Sequence, residues 1–272
     1  MTAVDTGTAS GRPALAAARR RAPATVPMTR LVDVEVRKML DTRAGAWLLV
    51  SVALVAAVVV GAVALWGRDD EVGLASFTSM IGFTMQLVLP MVAVLAVTSE
   101  WNQRSALTTF ALVPRRGRVV LAKGVATVAV ALAASVVQLA AAALGTFAAS
   151  AFRGIDPVWD LTLEQASRAA LLDVVALAVG FAFAVLIRAS APALVAYLGF
   201  VLILPSLSGM VASLAPWWAE HGTWLDLSLA MSVLGAPAVS GEQWAQLGTA
   251  SLVWIGVPLA VGMRRLLRVE IR

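Results

Sequence analysis

Few side chains in this sequence are suited to chemistry, and they fall into two sets. The first is the charged stretch 99–123, SEWNQRSALTTFALVPRRGRVVLAK, with Glu100 near its start and Arg115, Arg116 and Arg118 beyond Pro114. Charges around a short, partly apolar segment suit ion pairing with a partner's acidic groups or with lipid phosphates. The second set is Gln86, Gln138 and Asp173, three polar residues inside long apolar runs. An ionisable group in such a run is by default a functional hypothesis, whereas the two amides suit hydrogen bonds between helices. Catalysis has little to work with. The single histidine, His221, has no Ser or Asp at triad spacing, and with no cysteine a thiol nucleophile or Cys/His zinc cluster is excluded, so no metal site is expected. No G-x-x-x-x-G-K-[ST] occurs, so the chain has no phosphate cradle of its own; if ATP powers it, another polypeptide hydrolyses the nucleotide.

The elements that must position these groups are membrane helices. Of 272 residues, 60% are hydrophobic and only 14% charged, with a mean hydropathy of +0.86, against about a quarter charged in soluble domains. Apolar runs at 44–67, 72–99, 124–152, 169–187, 189–219 and 243–263 each meet the roughly 20 residues that a spanning helix needs, the fourth only marginally and with Asp173 inside it. They predict six spans, at about 46–66, 76–98, 122–147, 169–187, 192–213 and 245–263. Residues 1–27, rich in Ala, Thr, Pro and Arg, read as a disordered tail. From Met28, Val32, Val36, Met39 and Leu40 recur at helical spacing while Arg30, Asp33, Arg37 and Asp41 gather on another face, the pattern of an amphipathic helix.

The excess of Lys and Arg sets a direction, and in such a chain a net charge of +5 serves topology and anionic lipid rather than nucleic acid. Eight of the 21 precede the first run, five lie between the second and third, one between the fourth and fifth, and four follow the sixth; only Arg68, Arg153 and Arg168 fall on the other side. Both termini are therefore expected in the cytoplasm. Trp66, Trp159, Trp217, Trp218, Trp224 and Trp244 gather at the expected outer ends, as an interfacial belt would. Asp173 is expected one or two turns below that outer end, hydrated or paired with Arg168 or Arg153.

The stretch 99–123 resembles the loop after the second span in ABC-2 type permeases, the actinobacterial ones especially. The resemblance is carried by Ser99 and Glu100, by the turn of Pro114, Arg115 and Arg116, and by Lys123 opening the third span; Arg104-Ser105 stands where the family often has Gly-Thr. It implies that residues 28–272 form one all-α transmembrane domain. It further implies a coupling helix that docks on a separate ATPase subunit through Glu100, Arg104, Ser105, Phe110, Pro114, Arg115 and Arg116, and an interface helix bearing Arg30, Arg37 and Lys38. ATP and Mg would be bound by that partner subunit, this chain holding no cofactor and being no enzyme itself. A second permease copy, identical or different, and membrane lipids complete the implied partners, in a bacterial plasma membrane. The implied cargo is amphipathic or hydrophobic, a drug, antibiotic, peptide or lipid, moved outward past Gln86, Gln138 and Asp173 if these line a pathway rather than pack helices. Residues 205–244 are either short external helices that dip back into the bilayer, as in the family, or an ordinary loop. The alternatives are an ion-coupled secondary transporter using Asp173, and an intramembrane enzyme or structural component.

Overall fold

Long runs of Ala, Val and Leu can leave water only if their backbone polar groups bond within the segment, and helices result. The computed structural model of the protein describes residues 27–40, 43–102, 116–236 and 238–268. Among them there is no strand, only one bridge between Gly73 and Val158. The helices are α1 (Met28–Leu40), α2 (Arg43–Trp66), α3 (Leu74–Asn102), α4 (Arg116–Arg153), α5 (Leu163–Ile187), α6 (Ser190–Leu198), α7 (Leu204–Leu214), α8 (Pro216–His221), α9 (Leu227–Ser232), α10 (Gly241–Ser251) and α11 (Val257–Arg268). A π turn at Gly199–Ile203 joins α6 to α7, and another at Leu252–Gly256 joins α10 to α11.

Among the described residues, five helices are long and apolar enough to cross a membrane: Leu74–Ser99, Gly117–Arg153, Leu163–Ile187, Ser190–Leu214 and Gly241–Leu266. The chain thus has the make-up of a multi-pass membrane protein. The first of the six expected spans falls in α2, where Ala53–Trp66 forms a shorter apolar helix. The fourth span is not marginal. It begins at Leu163 rather than near 169, and its mean hydropathy of 2.6 is the highest of the five. The expected boundary stopped at Arg168, but the helix continues back to Thr162, whose hydroxyl accepts from the Gln165 N–H while the Gln165 side chain returns to the Thr162 N–H. This reciprocal cap satisfies two of the donors that a helix start exposes.

Packing is organised around α3, which lies against α2, α4, α5 and α6. Pro90 sits within it. Proline lacks the N–H that would bond the carbonyl four residues back, here that of Gln86. The fully buried Tyr197 of α6, the only tyrosine of the chain, donates its hydroxyl to that carbonyl. On the other side of the proline stands Gly180 of α5: a Cβ there would lie 2.8 Å from Pro90 Cβ and 2.9 Å from Pro90 O. The absent side chain is what lets α5 close on α3 at this level.

The two ends of the bundle differ. At the end carrying residues 67–73, 154–162 and 215–240, here called the hairpin end, polar caps hold the connections. Asp160 Oδ1 accepts from Ala75 N–H at 2.9 Å over the start of α3, Asp226 caps α9, and Ser240 caps α10 reciprocally with Gln243. Arg153 reaches back to the Gly67 carbonyl and pairs with Asp69 at 2.7 Å. Trp66, Trp159, Trp217 and Trp244 are exposed at this end. At the opposite, α1 end, Arg188 takes a left-handed conformation (φ 60°) to stop α5 and donates to the Gly262 carbonyl of α11 at 3.0 Å. Burial, then the nearby Arg265, holds the Arg188 guanidinium below its ordinary pKa.

Replacing Tyr197 with Phe strands the Gln86 carbonyl and is expected to cost about 1–2 kcal/mol; Gly180→Val, by overpacking against Pro90, is expected to cost about 1–3 kcal/mol. Both appear as lower thermal unfolding midpoints in detergent, and both should leave the midpoint unchanged if these contacts are idle.

Candidate functional site

At the α1 end, one ion pair positions everything else. The apolar face of α1 presents Val32, Val36 and Met39 to Leu89, Val92 and Ala96 of α3 and to Ala126 and Val130 of α4. Within that face lies Glu35, whose carboxylate meets Lys123 Nζ of α4 at 2.5 Å and Lys38 Nζ at 2.9 Å. The Glu35 and Lys123 side chains are only 7% and 6% exposed. A charge so deeply buried is costly without an opposite charge beside it, so the pair ties α1 to the first turns of α4. The expected interface residues lie around it: Lys38 joins the cluster, while Arg30 is exposed and Arg37 makes an exposed pair with Asp33 at 3.2 Å. Glu35 was not expected. Its signal was an acidic residue at the 3–4 spacing of Val32, Val36 and Met39, on the face that should be apolar.

Of the expected coupling residues, Arg104, Ser105, Phe110, Pro114 and Arg115 lie outside the described residues. Glu100 falls in the last turn of α3 and Arg116 opens α4. The loop therefore joins two helices that the Glu35 cluster braces from the side, since α1 packs on both.

In the bundle the three polar residues separate. Asp173 lies ten residues beyond Leu163, about 15 Å along α5 at 1.5 Å per residue. It does not pair with the expected arginines: Asp173 Oδ2 accepts from the Ser135 hydroxyl at 2.7 Å, and Oδ1 is buried without a hydrogen-bond partner. Arg168 instead donates to the Ala236 carbonyl at 2.6 Å, and Arg153 serves α2. Gln138 donates from Nε2 to the Thr78 carbonyl at 2.9 Å, which fixes the orientation of its amide and leaves Oε1 buried and unpartnered.

Gln86 and Gln138 line the same cavity, of about 290 Å³, between α3, α5 and the segment after α9. A second cavity of about 270 Å³ adjoins it, sharing Phe83, Gln86, Leu172 and Gly235 and continuing to Tyr197, Phe200 and Met231. The far wall comes from residues 227–235, which pack into the bundle. Leu227, Ala230, Met231 and Leu234 are buried with Val175, Ala176, Tyr197 and Phe200. Trp254, thirteen residues beyond Gly241, donates its indole N–H to the Leu225 carbonyl at 2.8 Å. Thirteen residues of helix correspond to about 20 Å, so this connection reaches well inside the bundle rather than lying across its end.

No protein-family model matches the chain, and no curated protein matches it. Among the described residues no group of acidic or histidine side chains could hold a metal ion.

Replacing Glu35 removes the buried carboxylate that Lys38 and Lys123 share. Glu35→Ala is expected to cost about 3–5 kcal/mol and to release α1, seen as a lowered unfolding midpoint and faster proteolysis within residues 28–40. Unchanged values for both would show that α1 is held by its apolar face alone.

Proposed function

We propose that the chain is the permease subunit of an ATP-driven exporter of the ABC-2 type, with both termini in the cytoplasm and six spans, the first being α2. The observation that carries this reading is the buried Glu35–Lys123 pair, which Lys38 joins from its exposed side. It fastens an amphipathic helix to the base of α4, beside the basic connection between α3 and α4. A transport subunit without a P-loop needs such a braced platform, because force from a separate ATPase must enter the helices without being lost in a flexible loop. The uneven distribution of Lys and Arg supports placing this platform inside the cell. The uncharged walls of the paired cavities suit an amphipathic or hydrophobic cargo rather than an ion. ATP and Mg belong to the partner subunit, two permease copies form the path between them, and a bacterial plasma membrane is the setting.

One observation favours a second reading, an ion-coupled secondary transporter: Asp173 sits deep in α5 with one carboxylate oxygen unpartnered. Such carriers generally pair ionisable residues, and Ser135 is the hydrogen-bond partner found here.

The test is co-purification of the full chain with a P-loop ATPase encoded beside it. Substitution of Glu100 and Arg115 together is expected to lower complex formation and cargo-stimulated ATPase activity by roughly tenfold, the loss of about 1.4 kcal/mol of contact. Asp173→Asn should leave ATP-dependent transport in place. Unchanged complex and ATPase activity after disruption of the whole loop would overturn the assignment, and abolition of transport by Asp173→Asn without ATP dependence would favour the carrier.

A further inference from the structure

The two adjoining cavities differ in chemistry. The lobe nearer α4 presents the amides of Gln86, Gln138 and Gln165 and the hydroxyls of Thr78 and Ser79. The other presents Leu172, Tyr197, Phe200, Val201, Pro205 and Met231. Gln86 belongs to both lobes, and among the described residues its side-chain amide has no hydrogen-bond partner, since only its main-chain carbonyl is taken, by Tyr197. Gln138 adds the unpartnered Oε1 beside it. Space for that second amide depends on Gly82, where a Cβ would stand 2.6 Å from Gln138 Nε2. Unused amide groups beside an apolar lobe call for a ligand with hydrogen-bonding capacity at one end. No described residue lining either lobe is charged, so an ionised head group would lose its hydration without compensation.

We propose that the joined cavities bind an uncharged amphiphile, its hydroxyl-bearing head on Gln86 and Gln138 and its alkyl part between Tyr197, Phe200 and Met231. Together the lobes fall in the size range of small-molecule sites, about 300–1,000 Å³. Gly235 is one of the four residues that the lobes share, and a Cβ there meets nothing within 4 Å. The site deepens the exporter reading by naming a cargo class, yet binding itself needs no ATPase. Failure of transport with binding intact counts against the exporter, and failure of binding counts against this site alone.

The experiment is saturable binding of radiolabelled monodecanoylglycerol to the full chain in phosphatidylcholine nanodiscs, a lipid without hydroxyl donors. Competition uses methyl decanoate, which lacks those donors, and decyltrimethylammonium, which is charged. Saturable binding is expected, with both competitors at least about tenfold weaker. Gln86→Leu removes no contact within the protein and is expected to weaken monodecanoylglycerol at least about tenfold while leaving methyl decanoate unchanged. Gly235→Leu, which adds bulk at a residue both lobes share, should weaken both ligands while leaving the unfolding midpoint unchanged. Absence of saturable binding, equal competition by the cation, or indifference to Gln86→Leu and Gly235→Leu would overturn the proposal.

Discussion

A proline in the middle of an apolar helix creates a debt that only another helix can settle, since no water is at hand to bond the carbonyl it frees. Pro90 imposes that constraint here. Tyr197 answers the carbonyl of Gln86, and Gly180 lets α5 approach the proline ring itself. Three helices thus meet at one level for reasons written into three residues. The cavities open beside this junction, with Gln86 and Tyr197 both in their walls. The same residue spends its backbone on the fold and leaves its side chain to the cavity.

The ends of the bundle solve a different problem by different means. At the hairpin end Thr162, Asp226 and Ser240 cap the starts of their own helices, while Asp160 reaches Ala75 of α3 and Arg153 pairs with the exposed Asp69. At the α1 end the fastening is a buried ion pair, between residues 35 and 123. Caps fix a helix start, whereas a buried ion pair holds two elements together and is little screened by solvent.

Hydropathy made most of the helices legible, because an apolar run of 25 residues admits few other structures. Its failures share a cause. The start of α5 was read from its charges, yet Arg168 is accommodated through the Ala236 carbonyl, contributed by a segment 68 residues away. Asp173, for which Arg168 or Arg153 was the expected partner, is held instead by Ser135. Glu35 escaped notice because a carboxylate on an apolar face makes sense only once Lys123 is known to lie opposite. The cavity walls draw on residues from Ala75 to Gly235, and no local pattern can announce such a convergence. The residues between 103 and 115 that were expected to couple fall outside the described residues, so that expectation rests on the resemblance alone.

The two π turns, Gly199–Ile203 and Leu252–Gly256, face one another through Phe200 and Trp254, whose ring centroids lie 5.1 Å apart. A π turn is what an α-helix becomes when it accepts one extra residue without disturbing the packing on either side. Two helices that carry such turns against each other widen at the same level, and the Phe200 and Trp254 rings meet where both do.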